Sequence, residues 1–402
     1  MSLQYARELD CTRSSCRHPR DATPPPQQGW TPTSLTGTDH GAAAALDASR
    51  LLLSHRAAEG AHSPSDAAYV FALFGACGAG ARLNMLTAIG LLMRTSPIFP
   101  VIASLGEQCH ALPSLREALA GVGAQVRLQP ELQGVRCVGR QYGPDSRPLS
   151  GNVSTSFFTP TYSILSAWAL TQFRAVLVLD SDLAVRRNLD HVLMAMLARP
   201  EIAEARTPEG CLNAISVEPG HGNYFNTGVW GVRPDANLYA DLVSFLRAGS
   251  VQCGIGIQTA AKTYFRRPRI DNARFEPRAP RRAATQPEGA AARARPWEIL
   301  QLHAGYNLKA NQGPLRCLSS YGFAPNASAY VVHWSGTRKA HVVKPHQTYD
   351  EVEQAAHADW MALRCDLHRR YFGGKASVHG TMTEAAEANQ VGLAACSSRV
   401  SH

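Results

Sequence analysis

The chain has 402 residues, 45% hydrophobic and 18% charged, which is enough apolar material for one large α/β domain with extra segments, or for two domains, and excludes a chain disordered throughout. Its formal net charge is +9, but nine arginines against three acids between Arg266 and Pro296 carry six of those charges, so the basic balance marks one segment rather than a whole face. With only Phe275 interleaved, that segment lacks the aromatic platforms of a nucleic-acid surface; it reads as a solvated insertion, and nucleic acid is not expected as a partner.

The ten cysteines include no C-x-x-C pair. Cys77, Cys211 and Cys253 lie in or beside apolar stretches and read as small core residues, so neither a disulfide framework nor a zinc site is expected. Residues 1–20 contain no apolar signal-like run, and the most apolar stretch, Ala67–Met93, is interrupted by four glycines and Arg82. No transmembrane segment is expected, and a cytoplasmic setting is the default.

Residues 1–65 are rich in Pro, Ser, Thr, Gly and Ala and read as a disordered leader, with a short helix at Leu46–His55. The run Ala68–Phe74, ending in Gly75, predicts a buried parallel strand, followed by a helix over Ala81–Met93. A strand over Phe99–Leu105, a helix over Leu112–Ala120 and a strand over Gln125–Leu128 come next. Pro160 opens a predicted helix to about Gln172, and Ala175–Leu179 is the most strand-like run of the chain. Helices over Asn188–Leu197 and Leu238–Leu246 and strands over Phe225–Val232 and Tyr330–Trp334 follow. This alternation predicts an α/β domain over 66–372 with a mostly parallel sheet covered on both faces, an Arg/Pro/Ala-rich insertion at 266–296 and a flexible tail at 373–402. In such sheets ligands sit at the carboxyl ends of the strands.

At one such end stands Asp180-Ser181-Asp182, directly after Ala175–Leu179. A spacing of two puts both carboxylates on one side of an extended segment, where they can hold a divalent ion that neutralises phosphates. Alone, the pattern is weak, because aspartate at a strand end also starts ordinary turns.

The surrounding residues resemble glycosyltransferase family 8, the glycogenin-like retaining transferases. The resemblance runs through Tyr162, Leu165, Trp168, Leu170-Thr-Gln-Phe173, Asp180-Ser-Asp182, Val185 and Asn188-Leu-Asp190. It continues in Tyr224-Phe-Asn226-Thr-Gly228-Val, in Tyr306-Asn307-Leu308 and in Val331-Val-His333-Trp-Ser-Gly336-Thr-Arg-Lys339, and covers about residues 66–345. It implies a GT-A type fold and transfer of a hexosyl group, glucose-type first, from a UDP-sugar to a hydroxyl acceptor on a glycan, protein or small molecule, with retention of configuration. It also implies Asp180, Asp182 and His333 as metal ligands. Ser181, Asn226, Thr227, Gln258, Gly336 and Lys339 would contact the donor, and no catalytic nucleophile is implied. Imidazole beside two carboxylates favours Mn²⁺ over Mg²⁺. Many relatives act in the Golgi, the alternative to the cytoplasm.

The chain departs from the family's pattern in the sugar-reading half. Ile164 stands where the family has a lysine, Ile257 where it has an acid before Gln258, and Leu73-Phe74-Gly75 where uridine contacts are expected. An active transferase with an altered sugar pocket is one reading. A catalytically weak or inactive member that binds a nucleotide or a partner is the second. A third, another Mg²⁺-dependent phosphotransferase or hydrolase, has against it the absence of a Gly-Lys-Ser/Thr phosphate loop.

Overall fold

The computed structural model describes residues 62–75, 77–135, 137–138, 159–208, 225–248, 251–252, 257–264, 274–275, 297–302, 304–310, 329–334, 340 and 350–371. In chain order the elements are β1 (Ala67–Leu73), α1 (Ala79–Met93), β2 (Val101–Leu105), α2 (Glu107–His110), α3 (Pro113–Gly121), β3 (Gln125–Leu128) and β4 (Cys137–Val138). A 3₁₀ stretch over Thr159–Ala169 leads to β5 (Ala175–Leu179), β6 (Leu183–Val185), α4 (Asp190–Ala198), β7 (Ile202–Pro208), β8 (Phe225–Val232) and α5 (Ala236–Arg247). Then come β9 (Val251–Gln252), α6 (Ile257–Tyr264), β10 (Arg274–Phe275), β11 (Trp297–Gln301), β12 (Leu308–Lys309), β13 (Val331–His333) and α7 (Glu351–Tyr371).

Eight strands form one sheet in the order β10-β11-β7-β8-β5-β1-β2-β3. The block β5-β1-β2-β3 is parallel, as is the pair β11-β7, whereas β8 runs antiparallel to both its neighbours. The parallel block follows from strands that are apolar on both faces, since each must be covered twice. Alternate residues of β1 and β5 divide between two layers. Tyr69, Phe71, Leu177 and Leu179 join a core built with α1, α4 and α7, while Ala68, Val70, Val176 and Val178 join another built with the 3₁₀ stretch, α5 and α6. Each fully buried large aliphatic or aromatic side chain contributes about 1.5–3 kcal/mol.

The domain limits at 66 and 372 stay an expectation; the Leu46–His55 helix and, apart from β10, the 266–296 segment lie outside the described residues. Arg274 and Phe275 pair with Glu298 and Trp297, so a short strand lies within the stretch read as an insertion. The predicted α-helix after Pro160 is instead 3₁₀. Its Thr, Ser and Pro residues are poor α-helix formers, and Ser163 Oγ is engaged outside the segment, accepting from the Leu132 amide at 2.8 Å. Strand β7 and helix α7 are additional to the predicted elements.

Asn188-Leu-Asp190 has a structural task. Asp190 Oδ1 accepts from Tyr69 Oη at 2.8 Å, and Asp190 Oδ2 accepts from Asn188 Nδ2 at 2.6 Å and from the Ile98 amide at 3.1 Å. These bonds lock the start of α4 to β1 and to the loop before β2. Burial raises the Tyr69 hydroxyl well above its ordinary pKa, and the Asp190 carboxylate adds to the shift, so the phenol stays a proton donor.

Cys77 and Cys109 form a disulfide with Cα atoms 5.2 Å apart, contrary to the expectation of unpaired cysteines. They lie 32 residues apart in sequence, but β1 and β2 are parallel neighbours, so the segments just past their carboxyl ends meet. Cys365 on α7 is also disulfide-bonded.

A separate three-stranded ribbon, β12-β13-β6, stands beside the large sheet. Its register, Val331 opposite Val185 and His333 opposite Leu183, sets a histidine beside the carboxylates that follow β5.

Candidate metal centre

Strand β5 is buried along its whole length and ends where the Asp180 amide donates to the Gly228 carbonyl of β8 at 3.0 Å. The chain turns at Ser181-Asp182 and enters β6. There the Trp334 amide donates to the Asp182 carbonyl at 3.1 Å. Trp334 is itself fully buried, with its ring 5.7 Å from that of Trp360 on α7, and this packing fixes the residue next to His333.

The outcome is that His333 Nε2 lies 3.1 Å from Asp182 Oδ1 and 3.7 Å from Asp180 Oδ2. One ligand atom from each of the three residues lies within 4.8 Å of the others. Ligands bound about 2.1 Å from one ion stand roughly 3 to 4.2 Å apart, so the donor set fits a divalent cation. Asp180 is about one-third exposed while His333 is buried, so the site opens toward solvent on the side of Asp180.

The role of His333 Nδ1 as a donor follows from one backbone amide. The Gly228 N–H can only donate, and it points at the Asn226 side chain at 2.8 Å, so that atom is Oδ1. The same oxygen faces Asn307 at 2.9 Å, so the facing atom of Asn307 is its Nδ2, which also donates to Thr207 Oγ1 at 2.9 Å. Asn307 Oδ1 therefore faces His333 Nδ1 at 2.8 Å and accepts its proton. Nε2 is thereby the nitrogen that faces the two carboxylates, as a metal ligand requires. Asn307, Thr207 and Gly228 were not among the expected site residues. The signal that would have found Asn307 is the general need of a ligating histidine for a partner on its other nitrogen.

Replacing Asn307 with alanine leaves a buried Nδ1–H without an acceptor and frees the ring to turn. Mn²⁺ affinity is expected to fall about 10–100-fold, read by titration with the purified chain, while circular dichroism stays native. Unchanged affinity would remove Asn307 from the site.

The other expected residues divide. Ser181 lies between the carboxylates in the turn. Asn226 is buried, with its oxygen committed to Gly228 and Asn307, so only its amide NH₂ remains for a ligand hydroxyl. Thr227 is buried and, among the described residues, makes no hydrogen bond to the triad. Gln258 falls on α6, but its side chain is outside the described set, as are Gly336 and Lys339 altogether.

Ile164 and Ile257 both belong to the apolar layer that contains Trp168 and Trp230. The same layer holds a charged pair from β7: Arg206 Nε donates to Glu204 Oε2 at 2.7 Å, and Trp230 Nε1 donates to that oxygen at 3.0 Å. Both partners are buried, so removing either would strand a charge in the core.

No protein-family model matches the chain, and no curated protein does. Among solved structures, the bifunctional WbbM glycosyltransferase is similar at 12% identity and a TM-score of 0.45, over 76% of this chain and 52% of that one. GlyE, a glycosyltransferase of Streptococcus pneumoniae, is similar at 14% identity and 0.41, over 74% and 63%. An active-site mutant of LgtC is similar at 12% identity and 0.44, over 73% and 95%. The chain thus spans 52% and 63% of the lengths of WbbM and GlyE.

Proposed function

We propose that the chain is a retaining glycosyltransferase of the family 8 type, with a GT-A fold, that moves a hexosyl group from a UDP-sugar to a hydroxyl acceptor. The observation that carries this reading is the triad. Two stretches far apart in sequence deliver two carboxylates and an oriented imidazole to one point past the carboxyl end of a central parallel strand.

Asp180, Asp182 and His333 would hold Mn²⁺, and a bound divalent ion supplies charge neutralisation for a departing diphosphate. The chain's own residues do the rest. The two carboxylates give the site its negative charge, and Asn307, accepting from Nδ1, leaves Nε2 as the nitrogen that faces them. Asn226 offers its NH₂ as a donor to a sugar hydroxyl. Gly336 and Lys339, from the same sequence block as His333, would hold the diphosphate, Lys339 as a compact positive charge. With no nucleophile implied on the sugar's far face, attack comes from the front. The acceptor O–C1 bond forms as the C1–phosphate bond breaks, and the acceptor proton passes to the leaving phosphate oxygen.

A second reading, a catalytically weak or inactive member that binds a nucleotide or a partner, is favoured by one observation. Ile164 and Ile257 are packed in an apolar layer and bring no charged group toward a sugar. The two separate in one experiment, incubation with Mn²⁺ and a panel of UDP-sugars. Release of UDP from at least one sugar is expected. UDP binding without release from any would establish the second reading instead. The Cys77–Cys109 disulfide favours an oxidising compartment, such as the Golgi, over the cytoplasm. Among the described residues no helix is long and apolar enough to cross a membrane.

A further inference from the structure

A cavity of about 650 Å³ lies at the other end of the β6–β13 ribbon, within the size range of small-molecule sites. Its walls include Arg94 at the end of α1, Arg186 and Arg187 just past β6, His191 of α4, Tyr330 just before β13, and Asp359 of α7. Asp182 and Arg186 are four residues apart on an extended segment, about 13 Å, so this cavity is distinct from the metal centre.

Its charge is unbalanced. Three guanidiniums face one carboxylate, and none of the three forms an ion pair with a described residue. Arg186 Nη1 is buried without a hydrogen-bond partner. Burial lowers the pKa of Arg186, a shift opposed by Asp359 and increased by Arg187. The cationic wall is also held in place. The Arg186 amide donates to the Tyr330 carbonyl at 2.8 Å, and the Arg187 guanidinium lies 5.9 Å over the Tyr330 ring. Tyr330 in turn stacks on Tyr306 at 4.4 Å with planes 6° apart, and the His191 ring tilts against both.

Three positive groups less one carboxylate leave a surplus of two charges. A phosphate dianion matches that surplus, and guanidinium forks match its oxygens. We propose that this cavity binds a phosphate dianion, free or carried by a small monoester, between Arg186 and Arg187 with Arg94 at the rim. The proposal stands apart from the transferase reading, because no residue of the metal centre takes part.

The test is calorimetric titration of the full chain at low salt in EDTA, with glycerol 3-phosphate and inorganic phosphate as separate probes. EDTA removes the divalent ion through which the metal centre would hold phosphate. Wild type and Asp182→Asn are expected to bind equally, while the double variant Arg186→Gln/Arg187→Gln binds at least about tenfold more weakly. Arg187→Gln alone, at an exposed position, should fold normally and weaken binding several-fold, which keeps the test decisive if the double variant fails to fold. Tighter binding of glycerol 3-phosphate assigns the monoester, tighter binding of phosphate the free ion, and either supports the site. Three results would overturn it: no binding by wild type, unchanged binding in Arg187→Gln, or binding lost in Asp182→Asn.

Discussion

Asp182→Ala is expected to lower Mn²⁺-dependent release of UDP from a UDP-sugar by about a thousandfold while leaving the fold intact. The magnitude follows from weakening the hold on the cation that would stabilise the leaving group in a partly enclosed site. The fold should survive for two reasons. The Trp334 amide bonds the main-chain carbonyl of Asp182, which alanine keeps. In addition, Asp180 and Asp182 are two carboxylates beside one imidazole, so removing one relieves like-charge repulsion when no cation is bound. Thermal unfolding should therefore be unchanged or shifted slightly upward. Full activity in this variant would contradict the metal assignment, and a collapsed melting temperature would move Asp182 from chemistry to architecture.

The second large effect belongs to a residue with no side chain. A β-carbon at position 228 would stand 2.5 Å from His333 Cε1, 2.7 Å from His333 Nδ1 and 2.8 Å from Asn226 Oδ1. Gly228→Ala must therefore push the imidazole off its bond to Asn307 or break the Asn226 end of the relay. Overpacking of this kind costs about 1–3 kcal/mol, and the displaced ring should cost about tenfold or more in Mn²⁺ affinity. Gly231→Ala is the control on the same strand. Its β-carbon would stand 2.7 Å from Ala205 Cβ and 2.7 Å from Met196 Sδ, both away from the triad. It should cost similar stability, measured by denaturant unfolding, with metal affinity unchanged. Equal loss of affinity in both variants would show that general destabilisation, not the position of His333, sets metal binding.

Much of the fold was legible because its central strands carry an unambiguous signal. Ala175–Leu179 and Phe225–Val232 are continuous apolar or small-residue runs, and their observed limits coincide with those predicted. Strand β7 was not legible for the opposite reason. In Ile202–Pro208, Glu204 and Arg206 alternate with small residues and look solvent-facing, yet they pair with each other and with Trp230 inside the core. Helix α7 could have been found, since Val352, Ala356, Trp360, Leu363 and Leu367 recur every three or four residues and are buried.

At the site, the three candidate ligands were readable as types in the right order. What could not be read was the relay behind them. Thr207 and Asn226 come from β7 and β8 and Asn307 from the bend just before β12, and only the fold brings their amides and hydroxyl together. The Cys77–Cys109 disulfide was hidden in the same way, since its two segments meet only because β1 and β2 are parallel neighbours. Asn226 shows the converse. Expected to read a sugar, it spends its oxygen on orienting the centre, which leaves one donor group for that task.

The metal centre is tested most directly by Mn²⁺ binding itself, followed by electron paramagnetic resonance of free Mn²⁺ as the full chain is added with and without UDP. One bound ion per chain is expected, tighter in the presence of UDP, and lost in both Asp182→Ala and His333→Ala. Undiminished binding in both variants, or no binding by the wild type even with UDP, would contradict it.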